Sequence, residues 1–334
     1  MSAYRSKLAC LAFAGATLST FGVMPAAVAA DAYPSHAIRL IVPFAAGGST
    51  DLVGRLIAEY LSKDLGQSVV VENKAGAGGA LGAEQIARAQ PDGYTIGMAT
   101  VSTHGSNPAI YPNLKYDPIK DFAPISNVMG VPSVFAVNPK VPAKTMKEFV
   151  ALAKAQPGKY SFASPGVASL GHANIENFMM LSGIDLLHVP YRGAGPALND
   201  ALAGQVDSIT DNLSSTLPHL QEGRLRPLAV LGAERSKVLP DVPTYAELGY
   251  PEMGTGGWFG LVAPAGTPKA VIEKLNASVR KVTQDPAFQE RAANVGATIM
   301  TNSPEAFAAQ MKAAIERYTL VAQKANIQVQ ANKK

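Results

Sequence analysis

The chain has 334 residues, of which 47% are hydrophobic, and its 29 Lys and Arg nearly balance its 25 Asp and Glu. A net charge of +4 with no run of like charges excludes the concentrated basic face that nucleic-acid binding needs. Cys10 is the only cysteine, so a disulfide framework and a Cys-based metal site are both excluded, and a chain of this length can bury a core without them.

The first thirty residues read as a cleaved secretory leader. Arg5 and Lys7 precede an apolar run, Leu8 to Val23, and small residues follow from Ala26 to Ala30. The run is short for a membrane span, and no second stretch of about eighteen apolar residues follows. Cys10 lies too near Lys7 for a lipidation site. Residues 1–30 carry two basic groups and no acid, so cleavage takes the charge from +4 to +2. The mature chain is then expected in the periplasm.

From Ile38 onward, apolar runs alternate with helix-length segments. Strands are expected at 38–43, 69–71 and 94–99, with helices at 51–65 and 80–89 between them. Leu52, Leu56, Ile57 and Leu61 have helical spacing, and Gly66 supplies the stop. Strands apolar throughout, in β-α-β-α-β order, predict a parallel sheet with helices on both faces. A second α/β unit follows. Its strands are expected at 134–137, 160–163, 186–189, 206–210 and 228–231. Its helices are opened by the Thr145–Glu148 capping box and near 169, 196 and 215. After a Pro- and Gly-rich stretch come a strand at 258–263 and three helices opened by Pro268, Pro286 and Pro304. The fold class is α/β with two lobes: residues 31–122 and 258–334 form lobe 1, and 123–257 form lobe 2. Two crossings, near 122–135 and 232–257, leave a hinge and a cleft.

The segment from Pro43 to Asp51 ends a strand, turns on Gly47 and Gly48, and opens a helix with Ser49, Thr50 and Asp51. Unpaired amides and the helix dipole make such a start an anion site, and in an open α/β sheet ligands gather beyond the carboxyl ends of strands. The same residues also suit simple capping. Residues 161–172 repeat the design, with Ser164 and Ser169 as hydroxyl donors. His172 suits packing or ligand contact equally. Arg192 could pair with a second carboxylate or stay solvated. Asp51 is expected to serve architecture, and Ser169 affinity. The glycine run 76–82 fails the dinucleotide pattern because its last position is Leu81, and no phosphate loop occurs. Neither a G-x-S-x-G elbow nor H-E-x-x-H is present, and the five histidines lack ligand spacing. No cofactor, metal or catalytic residue is expected. A secreted hydrolase and a sensory receptor lobe remain as alternatives.

The segments PFAAGGSTD, PDGYTIGMAT, SPGVASLGH, VPYRGAGPALNDALAGQVD, LPDVPTYAELGYP and WFGLVAPAGTP together resemble the extracytoplasmic solute receptors of tripartite tricarboxylate transporters, the Bug family. That resemblance implies a type II periplasmic-binding fold; a monomer without enzymatic activity is expected. It would hand a small carboxylate to membrane transporter subunits. It also implies a cleft lined by Phe44, Ala46, Gly47, Gly48 and Asp51, and by Ser164, Gly166, Ser169 and His172, with backbone groups and waters holding the carboxylate.

Overall fold

Strand β1 (Ile38–Val42) forms because four apolar residues, three of them β-branched, flank Arg39 ahead of a Pro-Phe turn, and the four are buried. These details come from a computed structural model that describes residues 33–254 and 256–327. The expected leader and Cys10 lie outside the described residues. Helix α1 (Ser49–Leu65) follows β1 and ends at Gly66, whose φ of 68° provides a left-handed stop. Next come β2 (Val69–Asn73), α2 (Ala80–Ala87) and β3 (Thr95–Thr100), then a π-helical turn at 102–106 that runs into α3 (Asn107–Ile110).

Strand β4 (Phe122–Val131) was not expected. It falls where the sequence suggested a crossing, and its ten residues include Pro124, Asn127 and Gly130, which hide the strand pattern. Its polar residues are satisfied by tertiary partners: Ser126 Oγ donates to Asn302 O at 2.9 Å, and Asn127 Nδ2 donates to Gln310 Oε1 at 3.0 Å.

The second lobe contains β5 (Ser133–Val137), α4 (Met146–Ala155), β6 (Ser161–Ser164), α5 (Leu170–Ser182), β7 (Leu187–Pro190), α6 (Ala194–Ala203), β8 (Ser208–Asn212), α7 (Leu213–Gln221) and β9 (Arg226–Leu231). Thr145 caps α4 by accepting from Glu148 N at 3.2 Å, while the Glu148 carboxylate accepts from Lys144 N at 2.6 Å. The chain then returns through β10 (Gly257–Pro264), α8 (Lys269–Val282), α9 (Pro286–Asn294), β11 (Thr298–Ile299) and α10 (Pro304–Lys324).

Two sheets result, in the orders β11-β4-β10-β3-β1-β2 and β7-β6-β8-β5-β9. Neither is wholly parallel, which corrects the sequence expectation. β1, β2 and β3 run parallel, but β10 is antiparallel to both β3 and β4; β5 is antiparallel to β8 and β9. The reversals follow from the crossings, since β5 and β10 each enter their sheet from the other lobe. The final helices pack on α1: Ser278 Oγ donates to Asp64 Oδ2 at 2.6 Å, and Phe288 meets Tyr60 edge-on at 5.2 Å. Phe135, Phe149, Phe162 and Phe178 fill the core of the smaller sheet's lobe; Ile38, Leu40, Ile57 and Leu61 belong to the larger sheet's core.

The chain leaves the larger sheet through Pro132 alone and comes back between Leu231 and Gly257. These crossings touch. A Cβ on Gly256 would fall 2.7 Å from Pro132 Cα and 2.8 Å from Leu231 O.

Candidate functional site

A small cavity lies between the lobes. Three helices start on it without a side-chain cap: α1 behind Gly48, α6 behind Gly193 and α7 behind Asn212. Gly48, Ser49, Thr50, Ala194 and Asn212 all line it. The first amides of a helix have no intrahelical partner, and its dipole adds partial positive charge there. The lining includes no Lys, Arg or His, so any anion held here is held by amides and hydroxyls. Phe44, Trp258 and Phe259 give the cavity apolar walls, and Ser102, Ser133 and Thr210 add hydroxyls.

The lobes are closed on one another. Ala45 N donates to Arg192 O at 3.2 Å, Leu170 N to Ser102 Oγ at 3.0 Å, and Ser106 Oγ to Ala168 O at 2.7 Å. Glycines permit this approach. A Cβ at Gly193, where φ is 152°, would stand 2.7 Å from Ala45 N, and one at Gly195 would collide with the carbonyl oxygen of Ala46. Gly166 likewise meets Gly78, leaving 3.0 Å between a built Cβ and Gly78 N.

Of the residues expected at the site, the structure brings Phe44, Gly48 and Ser49 into the lining. Ala46 and Gly47 form the contact with Gly195 instead. Asp51 is turned away and moulds the first loop. Its carboxylate accepts from Gly47 N at 3.0 Å, from Arg55 Nε at 3.0 Å and from Asn73 Nδ2 at 2.9 Å, while Asn73 also donates to Phe44 O. Burial alone would raise its pKa, but the hydrogen bonds from Arg55, Gly47 and Asn73, with the Arg55 charge, outweigh burial and hold it below the ordinary carboxylate range.

The second loop is also built from behind. Ser169 Oγ accepts from His172 N at 3.3 Å and caps α5; the side chain is fully buried and is not part of the cavity lining, contrary to its expected part in affinity. His172 Nδ1 accepts from Ala168 N at 3.1 Å, which puts that ring's proton on Nε2, 3.3 Å from Glu176 Oε1. Its ring stacks on His188 at 4.2 Å, and His188 stacks on Phe162 at 4.7 Å. Burial, helped by His172, pulls the His188 pKa down to about 3, so that ring is neutral, with Nε2 2.7 Å from Ser164 Oγ. Pro165, Leu170 and Gly171 are what this loop presents to the cavity. The Arg192 side chain is exposed and does not line it.

Asp211 and its neighbours were missed. Asp211 lines the cavity from the end of β8, and its Oδ2 accepts from Ser215 Oγ and, at 3.5 Å, from Ser49 Oγ across the cleft. The signal was present: the strand ending Thr210-Asp211-Asn212 runs straight into a helix, the design already read at residues 43–51. Ser102, at the end of β3, and Trp258, in β10, also belong to the lining. Among the described residues no group of three or more His, Cys, Asp or Glu side chains could hold a metal, and no helix is long and apolar enough to cross a membrane.

Two α/β lobes that close on a cavity walled by helix starts define a two-lobed, type II periplasmic binding protein. The chain belongs to the tripartite tricarboxylate transporter family receptors, whose pattern it matches across residues 53–327. It is 39% identical over 296 residues to the protein BugT of Bordetella pertussis, covering 88% of this chain and 90% of that one. Two solved structures are similar throughout. Rpa4515 of R. palustris, with adipate, shares 34% identity at a TM-score of 0.86, covering 89% of this chain and 99% of that one. MatC of Rhodopseudomonas palustris, with bound malate, shares 35% identity at a TM-score of 0.84, covering 86% and 99%.

Proposed function

We propose that the chain captures a small carboxylate between its lobes in the periplasm and presents it, without turning it over, to the membrane subunits of a tripartite transporter. The observation that carries this reading is the convergence of three uncapped helix starts, from both lobes, on one cavity without a cationic side chain. Amides and dipoles from both sides hold an anion best when the lobes are closed, so anion binding and closure favour each other. The adipate and malate in the two similar structures indicate acids of that size. Residues 1–30 act as the leader that exports the chain, which then works as a monomer. We assign 33–131, which includes β4, with 257–327 to one lobe and place the hinge at Pro132 and in the return crossing after Leu231.

Thermal melting against adipate, malate, glutamate and benzoate tests the reading. An acid present at about a hundred times its dissociation constant should add about 2.7 kcal/mol to stability. If none of these acids moves the transition at any pH between about 5 and 8, the carboxylate reading is wrong.

A further inference from the structure

Among the described residues, Asp211 is the only ionisable one lining the cavity. It stands where an anion is expected, and it has no cation to balance it. Its exposure is 6%, and its acceptor oxygen is met by the hydroxyls of Ser215 and Ser49. The elements around it bring no compensating charge. On α1, Ser49 faces it, while Asp51 and Arg55 are turned to Asn73. From α7 comes Ser215, with His219 a turn further on. On α6, Asp200 is occupied by the Tyr191 hydroxyl, and on α5, His172 is stacked against His188. Ser133 and Val134 of β5, Phe162 and Ala163 of β6, and Gly257 and Trp258 of β10 are uncharged. Burial accordingly raises the Asp211 carboxyl to about 6, against the opposing hydrogen bonds from Ser215, Asn212 and Ser49. Two carboxylates confined in one poorly hydrated space cannot both stay ionised.

We infer that Asp211 contacts the captured acid directly, its carboxyl and the ligand's carboxylate sharing one proton taken from solvent on binding and returned on release. This inference rests on the carboxylate reading above and makes Asp211 a selector. Plain acids are bound together with the proton, whereas an ammonium near the bound carboxylate would balance the ionised Asp211 and remove the need for it. The proton sits on Asp211 Oδ and is donated to a ligand oxygen, while the Ser215 and Ser49 hydroxyls keep the other lone pairs engaged.

Calorimetric titration of adipate and of malate, repeated in buffers of different ionisation enthalpy, counts the protons. The expected result at about pH 8 is uptake of close to one proton per acid bound, falling towards zero by about pH 5. Affinity of the parent protein should fall about tenfold for each pH unit above about 6. Asp211→Asn mimics the protonated side chain, so its affinity should stay flat and at about pH 8 exceed the parent's by ~100-fold. Glutamate serves as the ammonium-bearing comparison: at about pH 8 it should take up less proton than either plain acid, and its affinity should fall less steeply above about pH 6. Binding of adipate or malate without proton uptake overturns the inference while leaving the carboxylate reading intact. So does an Asp211→Asn protein that binds these acids more weakly at every pH. Failure of every acid to bind the parent protein at any pH overturns both. The proton count is made on the parent chain, so it does not depend on how the variant folds.

Discussion

The Ser169 hydroxyl accepts from His172 N inside a fully buried helix start and does not reach the cavity lining. Ser169→Ala is therefore expected to cost roughly 0.5–2 kcal/mol of stability, as loss of a cap does, and to change carboxylate affinity by less than about threefold. Urea denaturation and a binding isotherm on the same variant check both halves. A large loss of affinity at unchanged stability would put Ser169 back among the ligand contacts. At this scale the sequence was readable in residue type and not in direction. Gly48 and Ser49 line the cavity as expected. Asp51, two positions along the same helix, points the other way because Arg55 and Asn73 hold its carboxylate there. Arg55 is one helical turn from Asp51 and could have been noticed; Asn73 comes from β2 and is brought in only by the fold.

The stack of Phe162, His188 and His172 ties β6, β7 and α5 together directly behind the second cleft loop. Because the folded-state pKa of His188 lies near 3, below the unfolded value of about 6.5, the folded protein binds fewer protons at this ring. The resulting stabilisation is fully present above about pH 6.5 and is lost as the pH falls towards 3. Replacing the ring should flatten that window. His188→Gln is expected to be less stable than the parent at about pH 7.5, with the gap closing by about 1–2 kcal/mol at pH 4.5. Guanidinium melts at the two pH values would show it, and a gap independent of pH would mean that His188 acts through packing alone. Elements such as these were legible wherever one period ran unbroken, as in α1, α4 and β1. β4 was illegible because its buried polar residues are satisfied by Asn302 and Gln310, more than 170 positions away. The antiparallel entry of β5 and β10 was hidden for a related reason: a strand's direction depends on which lobe the chain comes from.

Across the whole molecule, closure is limited by how near two backbones can come. Gly195 lies within α6, where alanine is tolerated or preferred, yet an added methyl would collide with the Ala46 carbonyl oxygen of the opposite lobe. Gly195→Ala should therefore leave thermal stability unchanged or slightly raised. It should also weaken carboxylate binding by roughly ten- to a hundredfold, the strain of an overpacked contact. Small-angle scattering at saturating adipate should give a larger radius of gyration than the parent's. Parent-like affinity would show that the ligand is held without the two loops meeting.

The contact between Gly256 and Pro132 limits how the protein can change shape. With both crossings pressed together, there is a single line about which the lobes can turn, and sliding them sideways would drive one crossing into the other. Opening is then a rotation about the paired crossings. Every interlobe hydrogen bond, from Ala45–Arg192 to Ser102–Leu170, must break or form along that one coordinate, at its own distance from the axis. Bonds near the axis lengthen little for a given swing, and those at the rim lengthen most. The rim would therefore part first while the cavity beside the hinge stays sheltered, and the captured acid would meet water only late in the swing.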